Sequence, residues 1–172
     1  MNGELKELYE EDVKEREGIG SFQAEGEELL KHDRARRRKT YAIIENGGLK
    51  VSEDFYHAAL IFQHGETSDD YNKANELAQK AMEMGDDRAK WLYAATLDRW
   101  LLSIGRAQKF GTQFERNESG DWELAQPIDD SVTDEERARY NVPPFSEALK
   151  VYKEKYNRLG KVKQKKAIRK NF

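Results

Sequence analysis

One segment of this sequence, residues 55–64, would be apolar around nearly the whole circumference of a helix. It has the sequence FYHAALIFQH, in a chain that is 37% charged and only 37% hydrophobic. Because other elements must cover such a helix on all sides, we expect it to be the central helix of the fold. Ser52 is the predicted N-cap of this helix, and Gly65 is its predicted end.

Apolar spacing, capping residues and glycines predict six further helices and one β-hairpin. The helices are expected at residues 4–17, from Gln23 to Glu45, from Ser68 to Gly85, from Asp86 or Asp87 to Gly105, from Thr133 to about Tyr140, and from Pro143 to Tyr156. The hairpin is predicted between Phe110 and Ala125. The predicted fold class is therefore mainly α: an irregular helical bundle with one small β-hairpin.

The helices that begin at Ser68 and near Asp86 are rich in alanine and joined by a short loop, which is typical of a closely packed antiparallel pair. Together with the preceding central helix, this pair resembles a helix pair of the tetratricopeptide or Sel1 kind. Only about one and a half units are visible, which is too few for a solenoid.

We expect residues 1–154 to form a single helical domain with its core within residues 41–126, since 172 residues leave little room for a second domain. Residues 155–172 contain eight Lys or Arg and no acidic side chain, and they are predicted to be a basic, partly disordered tail. Alternatives for this tail are binding of phosphate or of an acidic partner, and packing against the acidic residues 1–28.

The composition excludes several classes of protein. The chain has no cysteine, which excludes disulfides, thiolate metal sites and a cysteine nucleophile. No apolar run approaches the roughly 20 residues that span a bilayer, and no signal peptide is recognisable, so we expect a cytoplasmic protein that does not engage a membrane. The net charge of −3 argues against a nucleic-acid-binding protein.

Two histidines lie in the apolar segment. His57 and His64 are seven residues apart and are expected on the same side of the helix. Because this spacing separates them by roughly 10 Å along the axis, one metal ion cannot bind both, and we predict neither a metal nor a cofactor. Either imidazole is a candidate acid or base. The alternative is a hydrogen-bonded histidine in a packed core.

Asp98 and Arg99 are adjacent in an apolar helix, so at least one of them is expected inside the protein. We expect Asp98 to pair with His57 or His64 and to orient that imidazole for catalysis. Arg99 is expected to pair with an acidic residue of the first two helices. A purely structural ion pair is the alternative.

The segment from Gly105 to Gln113 follows this helix and offers neutral hydrogen-bonding groups. Neutral amides and a hydroxyl suit recognition of a polar group without net charge. The predicted ligand-binding residues are Gln63, Arg99, Gln108, Gly111, Thr112 and Gln113. The alternative is a loop that satisfies only its own polar groups.

Two charged patterns are assigned to the surface. Asp12 and Arg16 are predicted to form an exposed pair on the first helix. The arginine-rich run 34–39 is predicted to be a solvated face, with a clamp for phosphate or carboxylate as the alternative.

Residues 56–65, YHAALIFQHG, and residues 98–113, DRWLLSIGRAQKFGTQ, resemble the two signatures of a known family. This family is the uncharacterised, chiefly bacterial domain of unknown function 6624. Residues 127–129 and 132–144 resemble its C-terminal pattern, so the likeness covers roughly residues 5–150. The resemblance supports a single domain and the choice of candidate residues, but it implies no reaction.

Two functions fit these observations. The first is a polar pocket between the third and fifth helices that binds a small polar ligand or carries acid/base chemistry, with His57, His64 and Asp98 as catalytic candidates. The second is a protein-interaction module of the helical-repeat type, in which the buried polar groups are structural. Whether the protein is an enzyme is left open.

Overall fold

A computed structural model describes residues 1–18 and 26–154 of the chain. The helices in these residues are α1 (Gly3–Gly18), α2 (Glu27–Glu45), α3 (Ser52–Phe62), α4 (Ser68–Glu83), α5 (Arg88–Ser103), α6 (Asp134–Arg139) and α7, which covers residues 145–154. The strands β1 (Phe114–Arg116) and β2 (Trp122–Leu124) form one antiparallel sheet. The prediction of a mainly α bundle with a small hairpin is confirmed.

Three predictions concern residues outside the described ranges. These are the basic tail at 155–172, the beginning of the second helix at Gln23 and the end of the last helix at Tyr156. Within the described ranges, every helix is too short or too polar to cross a bilayer.

The central helix is α3, and it packs against α1, α2 and α4. Its side chains Ala58, Ala59, Ile61 and Phe62 are buried in the main hydrophobic cluster. α4 packs along both α3 and α5, and alanines such as Ala78 let these helices approach closely.

Burial extends beyond the predicted core range of 41–126. Leu5 and Leu8 of α1 belong to the main cluster. Val142, which follows α6, joins a second cluster with Ala94 of α5. The predicted range is too narrow because α1 lies against α3 and the segment after α6 packs on α5.

A side-chain cap fixes where α3 begins, but it is not the predicted one. Ser52 is the first residue of the helix, and Asp54 accepts hydrogen bonds from the N–H groups of Lys50 (2.9 Å) and Val51 (3.1 Å). Asp54 also accepts a hydrogen bond from the backbone nitrogen of Asn2 at 2.6 Å. One carboxylate therefore caps α3 and holds the beginning of α1 against it.

The hairpin is shorter than the sequence predicts. Each strand has three residues, and Phe114 pairs with Leu124 at the end nearest the loop after α5. The predicted beginning at Phe110 is wrong, because the N–H groups of Phe110 and Thr112 donate to the carboxylate of Asp98 and not to a neighbouring strand.

A buried ionic network joins α1 to α2, which contradicts the assignment of Asp12 and Arg16 to the surface. Asp12 is 2% exposed, accepts a hydrogen bond from Arg16 and lies 3.3 Å from Nε of Arg36. Asp33 accepts hydrogen bonds from Arg16 at 2.7 Å and from Arg36 at 2.6 Å. The spacing of Asp12 and Arg16 on α1 predicts that they pair, but it carries no information about α2, which covers them.

The arginine-rich run 34–39 is divided between surface and interior. Arg36 and Arg37 are buried, so the prediction of a solvated face is wrong for both. Arg34 donates two hydrogen bonds to Glu66, and Arg37 donates to the same carboxylate at 2.8 Å. These hydrogen bonds lower the pKa of Glu66 to about 2. The clamp predicted as the alternative therefore holds a carboxylate of the chain itself.

We predict that Asp12→Ala lowers the free energy of unfolding by about 3 kcal/mol, because it leaves the buried guanidinium of Arg36 without one of its counterions. The matched control is Glu10→Ala, which removes only an exposed pair with Lys6 on the same helix and should change stability by less than about 0.5 kcal/mol. Urea denaturation followed by circular dichroism measures both. Equally small effects would contradict a structural role for the network.

Candidate functional site

Asp98 fixes the loop that follows α5. Its side chain is 0% exposed, and Oδ1 accepts hydrogen bonds from the N–H groups of Lys109 (2.6 Å) and Phe110 (2.8 Å). Oδ2 accepts hydrogen bonds from the N–H (2.9 Å) and the hydroxyl (2.7 Å) of Thr112. Burial raises the pKa of Asp98, and these four hydrogen bonds oppose the rise. The carboxylate is thus the acceptor around which the loop is built.

Gln108 has a similar structural role. Its side chain is fully buried, and Nε2 donates to the carbonyl groups of Gln113 (3.2 Å) and Ala125. Its Oε1 accepts a hydrogen bond from the N–H of Gln113 at 3.0 Å. Because these contacts enclose Gln108 between the loop and the hairpin, its burial contradicts the predicted role in ligand binding.

A cleft of about 350 Å³ lies between α5, the loop after it and α7. The other five predicted ligand-binding residues line it: Gln63, Arg99, Gly111, Thr112 and Gln113. The remaining lining residues are Trp91, Ala95, Phe114, Asn141, Val142, Pro143, Ala148, Val151 and Tyr152. Since α3 contributes only the residue after its end, this cleft does not lie between the third and fifth helices, where the sequence predicts a pocket.

Two neutral acceptors contact Arg99 in the cleft wall. Its Nη1 donates to the carbonyl of Gln63 at 2.7 Å, and its Nε donates to Oε1 of Gln113 at 3.1 Å. Gln113 is fixed in turn, because its Nε2 donates to the carbonyl of Ala95 at 3.0 Å. These hydrogen bonds set the direction of the guanidinium.

His64 lies outside the cleft lining, on the side of α3 that faces α1. Its Nδ1 is 3.2 Å from Oδ2 of Asp12, and its backbone carbonyl accepts a hydrogen bond from Arg37 at 2.8 Å. Burial lowers the pKa of His64 by more than the neighbouring Asp12 raises it. The folded protein therefore favours the neutral imidazole.

His57 is enclosed between α1 and α3. Its ring stacks on Tyr9 with the centroids 4.1 Å apart, and its Nε2 is 3.8 Å from Oε1 of Glu53. Burial lowers the pKa of His57 as well. Both imidazoles thus face α1, whereas Asp98 faces the loop after α5. The predicted acid/base group of His57, His64 and Asp98 in one enclosed space is therefore wrong.

Sequence reasoning missed the aromatic part of the cleft. Phe114 of β1 stacks on Tyr152 of α7 with the centroids 3.9 Å apart, and Trp122 meets the Tyr152 ring edge-on at 5.2 Å. Trp91 of α5 also lines the cleft. The spacing of the hairpin and of the last helix was visible in the sequence, but nothing in it indicated that both face α5.

A wider groove of about 510 Å³ lies between α1 and α2. It is lined mainly by charged side chains, and three of these bind one another: Glu15 lies 2.7 Å from His32 and 2.8 Å from Arg36. In the described ranges, no three His, Asp or Glu side chains are grouped so as to hold a metal ion. We therefore take the cleft at α5, and not this groove, as the candidate site.

No family model, curated protein or solved structure matches this chain. The resemblance of residues 56–65 and 98–113 to domain of unknown function 6624 stays a prediction. The likeness of the α4–α5 pair to a tetratricopeptide or Sel1 repeat stays a prediction as well.

We predict that Asp98→Asn destabilises the fold by about 2–3 kcal/mol, because one acceptor oxygen becomes an NH₂ group that faces a donor. Amide hydrogen exchange at residues 109–112 should accelerate. The matched control is Asp121→Asn, at an exposed position of the hairpin turn, which should change neither stability nor exchange in the loop. Unchanged exchange at 109–112 in Asp98→Asn would contradict the assigned role.

The lowered pKa of His64 predicts that stability falls as the pH drops below about 6.5, because the unfolded chain then takes up the proton more readily than the folded one. His57 contributes in the same direction. The free energy of unfolding of His64→Gln, measured by urea denaturation from about pH 5 to pH 8, should therefore depend less steeply on pH than that of the unsubstituted chain. If the free energy of unfolding depends equally steeply on pH in both proteins, the lowered pKa of His64 is contradicted.

Proposed function

We propose that this protein binds a small polar ligand in the cleft between α5, the loop after it and α7. One observation carries the proposal: Arg99, held by Gln63 and Gln113, presents a fixed guanidinium within a partly apolar cavity of about 350 Å³. Ligand sites are typically concave and mostly apolar, with a few well-placed polar groups. A donor that is already oriented loses little further freedom when a ligand binds.

The proposal is for binding and not for acid/base chemistry. In the part of the chain that the structure describes, the cleft lining includes no Asp, Glu, His or Lys side chain. A general acid or base must reach the reacting group, directly or through one water. The hydroxyl of Thr112 is engaged with Asp98, where it helps to fix the loop.

The lining indicates the kind of ligand. Trp91, Phe114 and Tyr152 offer aromatic surface to a flat apolar group. Arg99 and Gln113 offer directed hydrogen-bonding groups beside that surface. A molecule with one ring and one polar substituent matches both parts of the cleft.

The alternative, a helical-repeat interaction module, is supported by the structural character of the network around Asp12. The interaction module would also need a charged outer surface that recognises a partner. On α4, however, the charges are paired locally, as in Lys73 with Glu76 at 3.3 Å and Lys80 with Glu83 at 3.9 Å. We therefore rank ligand binding first. The family, bacterial origin and cytoplasmic location stay predictions, and neither function depends on them.

Filling the cleft tests the proposal. We predict that Val151→Trp weakens ligand binding at least about tenfold, because the added indole occupies the volume that a ligand needs. Val151 lines the cleft and is 44% exposed, so the change should spare the core. Ile104→Trp is the matched control: it adds the same side chain at a position that is 43% exposed and outside the cleft lining.

Ligand-observed NMR with single-ring fragments that carry an amide, hydroxyl or carboxylate group identifies binders of the unsubstituted chain. Their dissociation constants are then measured for both variants. Binders that lose affinity for Val151→Trp but not for Ile104→Trp support the proposal. A library without binders, or binders unaffected by Val151→Trp, would contradict it.

A further inference from the structure

A second arginine is almost fully buried behind the cleft. Arg137 of α6 is 1% exposed, its Nε donates to the carbonyl of Pro143 at 3.0 Å, and its guanidinium lies 5.1 Å from the ring centroid of Phe145. Oδ1 of Asp134, an exposed residue, is 3.7 Å from Nε, which is beyond hydrogen-bond distance. Nη2 is buried and has no hydrogen-bond partner among the described residues.

This guanidinium touches the segment that lines the cleft. Gly111 has a φ of +66°, and a Cβ at this position would lie 3.1 Å from Nη1 of Arg137. Pro143, whose carbonyl binds Nε, also lines the cleft. Arg99 contacts the same loop two residues further on, at Gln113. Two guanidinium groups therefore contact the short wall segment 111–113.

The charge of Arg137 is only partly compensated. A buried charge is unfavourable unless an opposite charge or a full set of hydrogen bonds offsets the loss of water. Burial lowers the pKa of Arg137 even though the carboxylates of Asp134 and Asp98 act against it. Both oxygens of Asp98 are already occupied by donors of the loop.

We propose that the ligand of this cleft carries an oxyanion, either a carboxylate or a phosphate, which sits beside residues 111–113. Arg99 donates to it directly, and Arg137 supplies a second positive charge from behind the wall. The inference rests on the proposed function and replaces the expectation of an uncharged polar group. Arg137 does not line the cleft, but in a low-dielectric interior its positive charge attracts an anion on the other side of the wall.

The described lining favours such a ligand. It contains no carboxylate that would repel an anion. The absence of a side chain at Gly111 lets the wall stay in contact with Arg137, since a Cβ there would also lie 3.1 Å from Ile128. Its positive φ is a second reason for glycine at this position.

Three probes that share one ring test the charge of the ligand: phenylacetate, neutral phenylacetamide and phenyl phosphate. Each is titrated into the full chain, and binding is followed by NMR of the backbone amides and arginine side chains. We expect phenylacetate to bind at least about tenfold more tightly than phenylacetamide. Comparing the dissociation constants of phenylacetate and phenyl phosphate then shows whether the cleft prefers a carboxylate or a phosphate.

Variants of α6 test the contribution of Arg137. Arg137→Gln should reduce the preference for phenylacetate over phenylacetamide to less than about threefold, and Arg137→Lys should restore most of it. Arg139→Gln, at an exposed position of the same helix, is the matched control and should leave the preference unchanged. If Arg137→Gln does not fold, the NMR resonance of the Arg137 Nε–H group in the unsubstituted chain tests the inference instead. This resonance should shift when phenylacetate is added and should not shift when phenylacetamide is added.

The outcomes separate this inference from the proposed function. If phenylacetamide binds as tightly as phenylacetate and Val151→Trp abolishes both, the cleft is a ligand site but the oxyanion inference is overturned. A preference for phenylacetate that persists in folded Arg137→Gln overturns the role that the inference gives to Arg137. If none of the three probes binds while other fragments of the library do, the oxyanion inference is overturned and the proposed function stands.

Discussion

The cleft depends on one buried carboxylate that organises a loop without regular structure. Residues 109–112 belong to neither a helix nor a strand, so their N–H groups need acceptors from elsewhere. With its two oxygens, Asp98 accepts hydrogen bonds from three of these groups, the N–H groups of Lys109, Phe110 and Thr112. Because the carboxylate belongs to α5, the loop is held against the helix that also carries Arg99. The positions of Gly111 and Thr112 in the cleft wall follow from this attachment.

A similar arrangement joins the first two helices. Asp12 and Asp33 each contact both Arg16 and Arg36, and the resulting network lies between α1 and α2. Only 37% of the residues are hydrophobic, so polar networks make up part of the interior. Hydrogen bonds are directional, so each pairing in this network constrains how α1 lies against α2.

Local patterns predicted the elements well, because caps, glycines and helical spacing act within a few residues. The same kind of pattern located part of the cleft, since Gly111 and Gln113 follow a helix end and must be near Arg99. What the sequence could not show is which neighbour a side chain meets. His57 and His64 do face the same way, but they face α1, whereas Asp98 binds the loop after α5. Contacts between distant segments, such as Phe114 with Tyr152, left no local signal.

The aromatic side of the cleft is built from two elements that are weak on their own. A two-stranded sheet with three residues in each strand is below the size that is stable in water. Its Phe114 and Trp122 are covered by Tyr152 of α7, so the hairpin and the last helix support each other. Local opening should therefore cost least at this end of the molecule. Loosening either element should consequently expose the aromatic rings of the other.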